Sequence, residues 1–299
     1  MSFNEGARLD TSQVTGGGGL KGGAAIGGGA GGLILMLIVF LLGGNPLGGG
    51  TGSAFNVDNV LSGGSGQSVD VSECQTGADA NRSDVCRIIG TVNSVQDYWG
   101  EALPADVGRD YREAQTVIYD GATSSPCGTA SNQTGPFYCP SDERIYIDAE
   151  FFDLLSSQYG ADGGNLAQMY VVAHEYGHHV ENILGYLAKY QGGGSGPQSN
   201  GVRIELMADC MAGVWAHHAA STTDDAGTSL IKPLTRQDID SALSAAAAVG
   251  DDHIQESATG RVNPETWTHG SSESRQRWFI SGYESGDVNR CDTFSTDRL

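Results

Sequence analysis

Five stretches of the chain have the apolar pattern or the composition of helices, and two shorter ones have the pattern of strands. The helices are predicted over residues 88–100, 166–187, 202–215, 236–249 and 275–283. The strands are predicted over residues 115–119 and 143–148, and the second alternates as a half-buried strand does. Because helices outnumber strands, the pattern predicts an α+β fold that is mainly helical and contains a small β-sheet.

The first 70 residues differ from the rest, because they are rich in glycine and contain one long uncharged segment. Residues 1–21 are low in complexity and are predicted to be disordered. Residues 22–44 include ten consecutive apolar residues and predict an N-terminal transmembrane helix, which needs about 20 residues. A cleaved signal peptide is the alternative, although no clear cleavage site follows. Residues 45–70 are predicted to be a flexible tether, and residues 71–299 the folded domain.

The charge of the chain narrows the classes of partner. Lysine and arginine total 16 against 36 aspartates and glutamates, which gives a net charge of −20 at pH 7. The charged residues before position 58 cancel one another, so the whole excess lies in residues 58–299. Such a negative surface repels phosphate backbones and anionic lipid surfaces, and we expect no nucleic acid partner.

All six cysteines lie beyond the predicted anchor. They form two pairs twelve residues apart and two distant single cysteines. Cysteine-based zinc sites use tighter spacing, so an even number of cysteines at these separations favours disulfides in an oxidising compartment. The expected bridges are Cys74–Cys86, Cys127–Cys139 and Cys210–Cys291. Together with the predicted anchor, these bridges predict a single-pass protein of the cell membrane whose folded domain lies on the extracytoplasmic side. Six buried free thiols in a cytosolic domain are the alternative.

The most informative motif lies in the second predicted helix, where His174, Glu175 and His178 form the pattern H-E-x-x-H. Side chains four residues apart lie one above the other on a helix, so the two histidines can bind one metal ion. Glu175 lies about 100° further around the helix, where it can take a proton from metal-activated water. A buried helix whose histidines only form hydrogen bonds is the structural alternative.

Two carboxylates follow on the third predicted helix, where Glu205 and Asp209 lie four residues apart among mostly apolar residues. Burying carboxylates without a partner is costly, and a zinc ion with its histidine ligands would offset that cost. We therefore expect one Zn²⁺ held by His174, His178 and Glu205. Asp209 is expected to accept the second ring N–H of a ligand histidine. The alternative is an exposed polar face on this helix.

One longer zinc-peptidase pattern can be tested on the sequence directly. H-E-x-x-H-x-x-G-x-x-H requires glycine at position 181 and histidine at position 184, where this chain has Glu181 and Leu184. The metzincin arrangement is therefore excluded. The remaining arrangement takes a glutamate from a following helix, which fits Glu205, and Glu181 is the alternative third ligand.

These motifs resemble those of the YpfJ-like bacterial neutral zinc metallopeptidases. The resemblance covers most of the chain, in the same order, and Met207 departs from it where glutamine is expected. It implies a mainly helical, zincin-like metallopeptidase domain that depends on zinc, and it implies no particular substrate. The segments that carry it are Cys127-Gly128, residues 135–140, 145–148, 173–179, 205–215 and 268–272, and the stretch from Cys291 to Phe294.

We therefore expect a membrane-anchored zinc metallopeptidase that cleaves a peptide or protein substrate, with Glu175 as the general base. Two alternatives remain: a catalytically silent binding module that zinc stabilises, and a zinc amidase that acts on cell-wall material. The intact Glu175 argues against the silent module, because a structural zinc site has no use for a base.

Two further features could serve catalysis. His269 lies in a Thr-His-Gly-Ser-Ser turn, and we expect it to donate a hydrogen bond to the transition state, with a structural capping role as the alternative. The strand over residues 143–148 precedes the metal-binding helix and could pair with an extended substrate, or be an ordinary sheet strand.

Overall fold

Helices form most of the structure, a computed structural model that describes residues 1–17, 69–131 and 134–299. The helix that carries the H-E-x-x-H motif, α4 (Asn165–Leu184), packs against α2 (Asp84–Ala102), α6 (Asn200–His218), α7 (Arg236–Ala248) and strand β5 (Phe137–Cys139). It therefore lies between the helical layer and the sheet. The helices are α1 (Gly77–Ala80), α2 (Asp84–Ala102), α3 (Phe151–Ser157), α4 (Asn165–Leu184), α5 (Tyr186–Lys189), α6 (Asn200–His218), α7 (Arg236–Ala248), α8 (Asp251–Thr259) and α9 (Ser272–Ser285).

All five predicted helices are confirmed, as α2, α4, α6, α7 and α9, and local signals explain their ends. Helix α6 begins after Ser199, whose side chain accepts a hydrogen bond from the Val202 N–H. Helix α4 ends at Gly185, whose φ of 83° is left-handed and favours glycine. This glycine stops α4 three residues before the end of the predicted range.

The strands form one mixed sheet and one separate hairpin. The four-stranded sheet has the order β1-β2-β6-β5, in which β1, β2 and β6 are parallel and β5 is antiparallel to β6. The predicted strands are β2 and β6, which lie in the centre. Because β6 has a neighbour on each side, it is an internal strand of the sheet, and β5 pairs with its first three residues, Arg144–Tyr146. The strands are β1 (Val14–Gly16), β2 (Gln115–Tyr119), β3 (Ala122–Ser125), β4 (Gly128–Ser131), β5 (Phe137–Cys139) and β6 (Arg144–Asp148).

Residues 1–17 are folded, in contrast to the disorder expected for residues 1–21, of which residues 18–21 lie outside the described part of the chain. Residues 14–16 form the edge strand β1, which pairs with β2. The Phe3 side chain is 1% exposed and lies against Gly90, where an added Cβ would approach its ring within 2.6 Å. The sequence pattern hides this packing because the few apolar residues are scattered among polar ones. They are Phe3, Ala7, Leu9 and Val14, all buried.

The predicted transmembrane helix, residues 22–44, lies outside the described residues. In the parts of the chain that the structure does describe, no helix has the length and apolar character needed to cross a bilayer. This finding contradicts the predicted single-pass location in the cell membrane. Strand β1 and the chain from Val69 onward, which flank the predicted helix, belong to one folded unit: a Cβ on Gly16 would lie 2.5 Å from the Val69 carbonyl oxygen.

The three predicted disulfides are confirmed. Cys74–Cys86 ties the segment before α1 to α2, Cys127–Cys139 ties the β3–β4 hairpin to β5, and Cys210–Cys291 ties α6 to the C-terminal segment. Glycines let α6 and α9 pack closely, because a Cβ on Gly282 would meet the Cys210 carbonyl oxygen at 1.9 Å.

Truncating Phe3 tests whether the N-terminal segment belongs to the folded domain. Phe3→Ala should lower the free energy of unfolding by about 3–5 kcal/mol, because it leaves a cavity against Gly90. Urea unfolding followed by circular dichroism measures the loss. The control is Glu5→Ala, which removes an exposed side chain and should change stability by less than about 0.5 kcal/mol. Equal midpoints for both variants would contradict the packing of this segment.

Candidate metal centre

The structure brings the three predicted metal ligands together between α4 and α6. Ligand atoms of His174, His178 and Glu205 all lie within 4.8 Å of one another. The His174 Nε2 atom is 3.2 Å from one Glu205 oxygen, and the His178 Nε2 atom is 3.7 Å from the other. Helix α4 supplies both nitrogens from one face because the histidines are one turn apart.

These three side chains fit a zinc ion in their chemistry and their spacing. Zinc binds two imidazole nitrogens and a carboxylate at about 2.0–2.2 Å in tetrahedral sites, so neighbouring ligand atoms lie about 3.3 Å apart. The 3.2 Å between His174 Nε2 and one Glu205 oxygen agrees with this value, and the 3.7 Å between His178 Nε2 and the other Glu205 oxygen is slightly longer. Three ligands leave one tetrahedral position for water or substrate.

A buried carboxylate fixes the orientation of His174. The His174 Nδ1 atom is 2.8 Å from an Asp209 oxygen, which can only accept, so Nδ1 carries a proton and Nε2 is the ring nitrogen that faces Glu205. Arg275 donates to both Asp209 oxygens, at 2.9 and 3.0 Å, and the Tyr170 hydroxyl donates to one of them. Asp209 therefore has the position expected of an orienting partner.

Glu181 orients the His178 ring in the same way that Asp209 orients the His174 ring. A Glu181 oxygen lies 2.8 Å from His178 Nδ1, and the glutamate is completely buried. The Nδ1 proton therefore faces Glu181, which leaves Nε2 free for a metal. Glu181, the alternative third ligand from the sequence, is placed behind His178 and away from its Nε2.

The electrostatic environment favours positive charge between the two helices. Burial lowers the pKa of His174, but Asp209 and Glu205 outweigh it and raise that pKa. Burial raises the pKa of Glu205, but His269 and His178 outweigh it and lower that pKa. A divalent cation between these groups would neutralise the negative charge of the carboxylates.

Glu175 lies beside the ligands and is 6% exposed. Burial raises the pKa of its carboxyl, and the neighbouring His174 and His178 side chains oppose this shift. A carboxylate whose pKa is raised toward neutrality can accept and then release a proton at neutral pH.

His269 lies close enough to Glu205 for the two side chains to influence each other's charge. Its Nδ1 atom contacts the Asp251 carboxylate at 3.3 Å and the Thr268 hydroxyl at 2.9 Å. The other Asp251 oxygen accepts the backbone N–H groups of residues 268–270 at 2.7–2.9 Å. Asp251 thus fixes the turn that carries His269, and in the described parts of the chain no hydrogen-bond partner of His269 Nε2 is found.

The sequence did not indicate two side chains that support this centre, Arg275 and Asp251. Arg275 is 4% exposed and lies on α9, which packs against α6. In the sequence it is only an arginine within a predicted helix, which does not indicate a buried contact. Asp251 begins α8 and has the appearance of an ordinary helix-terminal aspartate. Their roles depend on which distant residues they meet.

Comparisons with known proteins agree with the geometry and confirm the resemblance. A sequence profile of the family described as "putative neutral zinc metallopeptidase" matches residues 4–294. The uncharacterized protein Rv2575 of Mycobacterium tuberculosis is 51% identical over 224 residues, which cover 75% of each chain. The uncharacterized protein YpfJ of Escherichia coli is 41% identical over 206 residues, which cover 67% of this chain and 68% of that protein. No solved structure matches.

Removing the Arg275 guanidinium should destabilise the centre. Arg275→Met leaves Asp209 buried with too few donors, and the expected loss of unfolding free energy is about 3–5 kcal/mol. The control is Arg277→Met on the same helix, whose ion pair with Glu273 is solvent-exposed and should matter by less than about 1 kcal/mol. Chemical denaturation measures both, and comparable losses would show that Asp209 does not depend on Arg275.

Proposed function

The chain belongs to this family of neutral zinc metallopeptidases, and from this premise we propose that it hydrolyses peptide bonds with the help of one zinc ion. The substrate is a peptide or protein. The observation that carries the proposal is the convergence of His174, His178 and Glu205 beside the buried carboxylate of Glu175. In this proposal the three converging side chains hold the metal, and Glu175 acts on water next to it.

The chemistry that zinc supplies in such a site is the activation of a water molecule and the polarisation of the scissile carbonyl. Glu175 takes a proton from the attacking water and passes it to the leaving amine. Burial supports this double role, because it raises the pKa of Glu175 and so makes the proton easier to accept. The Nδ1 contacts of the ligand histidines keep their Nε2 atoms aimed at one point.

His269 is proposed to stabilise the negative charge that develops on the carbonyl oxygen. Its Nδ1 is engaged by Asp251 and Thr268, and its Nε2 remains for a substrate. Glu205 and Asp251 outweigh the effect of burial and raise the pKa of His269, which favours the donor form of the ring. Preorganised donors of this kind are worth about 3 kcal/mol of barrier.

A catalytically silent zinc module is the second candidate function. Structural zinc sites have four protein ligands, whereas the cluster that the described residues form has three. Glu175 is buried beside that cluster, where a structural site would have no use for it. A cell-wall amide remains an alternative substrate for the same centre, because its hydrolysis needs the same groups.

Glu175→Gln should abolish hydrolysis and keep the metal. The amide cannot accept a proton, so the rate of casein cleavage should fall by about 10²–10⁴. Elemental analysis should find the same zinc content, and a chelator should remove activity from the wild type. Cleavage of cell-wall fragments but not casein would reassign the substrate. Wild-type rates in the variant, or an inactive wild type with full zinc, would contradict the proposed mechanism.

His269→Ala should lower kcat and kcat/KM together, by about 10²–10³, because the lost donor acts only in the transition state. Zinc content and Tm should stay unchanged. The control is His253→Ala on α8, an exposed histidine whose Nε2 donates to the Tyr159 carbonyl outside the centre. Lost zinc would make His269 a ligand, and a lower Tm with normal kcat would make it structural.

A further inference from the structure

The two faces of the four-stranded sheet are covered by different parts of the chain. Because side chains alternate along a strand, Ile118, Tyr138 and Ile145 belong to the core that the helices share, while their neighbours point the other way. The side that faces away from the helices is aromatic, and the Phe137 and Tyr146 rings stack there with their centroids 5.1 Å apart. We call it the outer face. Its buried side chains are Val117, Tyr119, Phe137, Cys139 and Tyr146.

The β3–β4 hairpin covers the outer face with little apolar surface of its own. In the described part of the chain its two strands pair with each other and with no third strand. Within residues 122–131, Ala130 is the one apolar side chain that is completely buried, and it packs on the outer face. An isolated two-stranded hairpin is marginally stable in water at best. The hairpin therefore needs an attachment besides its own strand pairing to stay in place.

The Cys127–Cys139 disulfide supplies that attachment, and it is the most accessible of the three bridges. It joins the turn of the hairpin to the last residue of β5. Cys139 is completely buried, but Cys127 is partly exposed, and its Sγ atom lies at the surface, 3.7 Å from the Ser141 hydroxyl. A thiol in solution can therefore reach Cys127 without local unfolding, which the other two bridges require. Their four cysteines are at most 4% exposed: Cys74, Cys86, Cys210 and Cys291.

We propose that the Cys127–Cys139 disulfide is a redox latch: its reduction by a dithiol releases the β3–β4 hairpin from the outer face, while the rest of the domain stays folded. A thiolate of the dithiol attacks Cys127 Sγ, the S–S bond breaks, and Cys139 leaves as a thiolate that takes up a proton. The second thiol of the dithiol then displaces Cys127 from the mixed disulfide. The dithiol is oxidised to its own disulfide by the loss of two electrons, which reduce the bridge, and its two protons end on the two cysteines.

The metal centre lies on the other side of the sheet from the latch, and β5 has attachments that do not involve the bridge. All three residues of β5 pair with β6. Its Tyr138 hydroxyl accepts a hydrogen bond from the Asn182 amide of α4 at 3.0 Å. The turn after it contains Glu143, which forms an ion pair with Arg112 at 2.8 Å. We therefore expect the same zinc content with the bridge closed and open. The latch does not depend on the proposed hydrolysis, so its test needs no activity.

Timed reduction with dithiothreitol tests the order in which the bridges open. After alkylation of the new thiols, mass spectrometry should find Cys127 and Cys139 labelled at least about tenfold faster than the other four cysteines, because buried bridges react only after local unfolding. In protein reduced at this bridge alone, the amides of residues 122–131 should exchange hydrogen about 100-fold faster, the factor expected when a loop of this length loses its bridge. Hydrogen exchange in α4 and α6 should not change.

Cys127→Ala combined with Cys139→Ala mimics the open latch without a reductant that could compete for the metal. Residues 122–131 should exchange as fast as in the reduced wild type, and elemental analysis should find wild-type zinc content. The matched control is Cys74→Ala combined with Cys86→Ala, which removes a bridge of the same twelve-residue separation. Because that bridge does not touch the hairpin, the exchange of residues 122–131 should stay as slow as in the oxidised wild type.

Three results would overturn the latch. They are reduction of all three bridges at one rate, slow exchange of residues 122–131 after the Cys127–Cys139 bridge has gone, and loss of helix protection together with that of the hairpin. If the double alanine variant folds poorly, the order of reduction and the exchange of the wild type decide the question. A wild type that releases the hairpin but hydrolyses nothing would contradict the proposed function and support the latch.

Discussion

The buried carboxylate of Asp209 is the interaction on which the architecture around the centre depends. It receives hydrogen bonds from His174 and Tyr170 on α4 and from Arg275 on α9, while it is itself part of α6. A buried charge of this kind is tolerated only when its partners are all in place. The positions of three helices are thus coupled to the orientation of one imidazole ring. Arg275 reaches further, to the Val249 carbonyl at the end of α7.

Close packing of α6 and α9 makes that coupling possible. Gly213 and Gly282 bring the two helix backbones into contact, since a Cβ at either position would meet a carbonyl oxygen of the other helix at 2.0 Å or less. Larger residues would push α9 outward and move the Arg275 guanidinium away from Asp209. The Cys210–Cys291 disulfide, one residue after Asp209, covalently ties α6 to the C-terminal segment that follows α9.

Local patterns in the sequence were enough to predict the parts of the centre that lie on one helix. The H-E-x-x-H spacing places its two histidines on one face of a helix, and the four-residue spacing does the same for Glu205 and Asp209. The twelve-residue cysteine spacing indicated two of the bridges. The role of Arg275 was not predictable, because it depends on a contact between residues 66 positions apart. Strand β5 has three residues, too few for a period, and the buried N-terminal residues have no regular spacing.

The place of strand β1 in the sheet has a consequence for the order in which the chain can fold. Val14 pairs with Thr116, and Asn4 donates to the Leu230 carbonyl, so the partners of the N-terminal segment lie far from it along the chain. Closing loops of this length is entropically costly and slows folding. Contacts within each helix, which join residues close in sequence, can therefore form before those of the N-terminal segment.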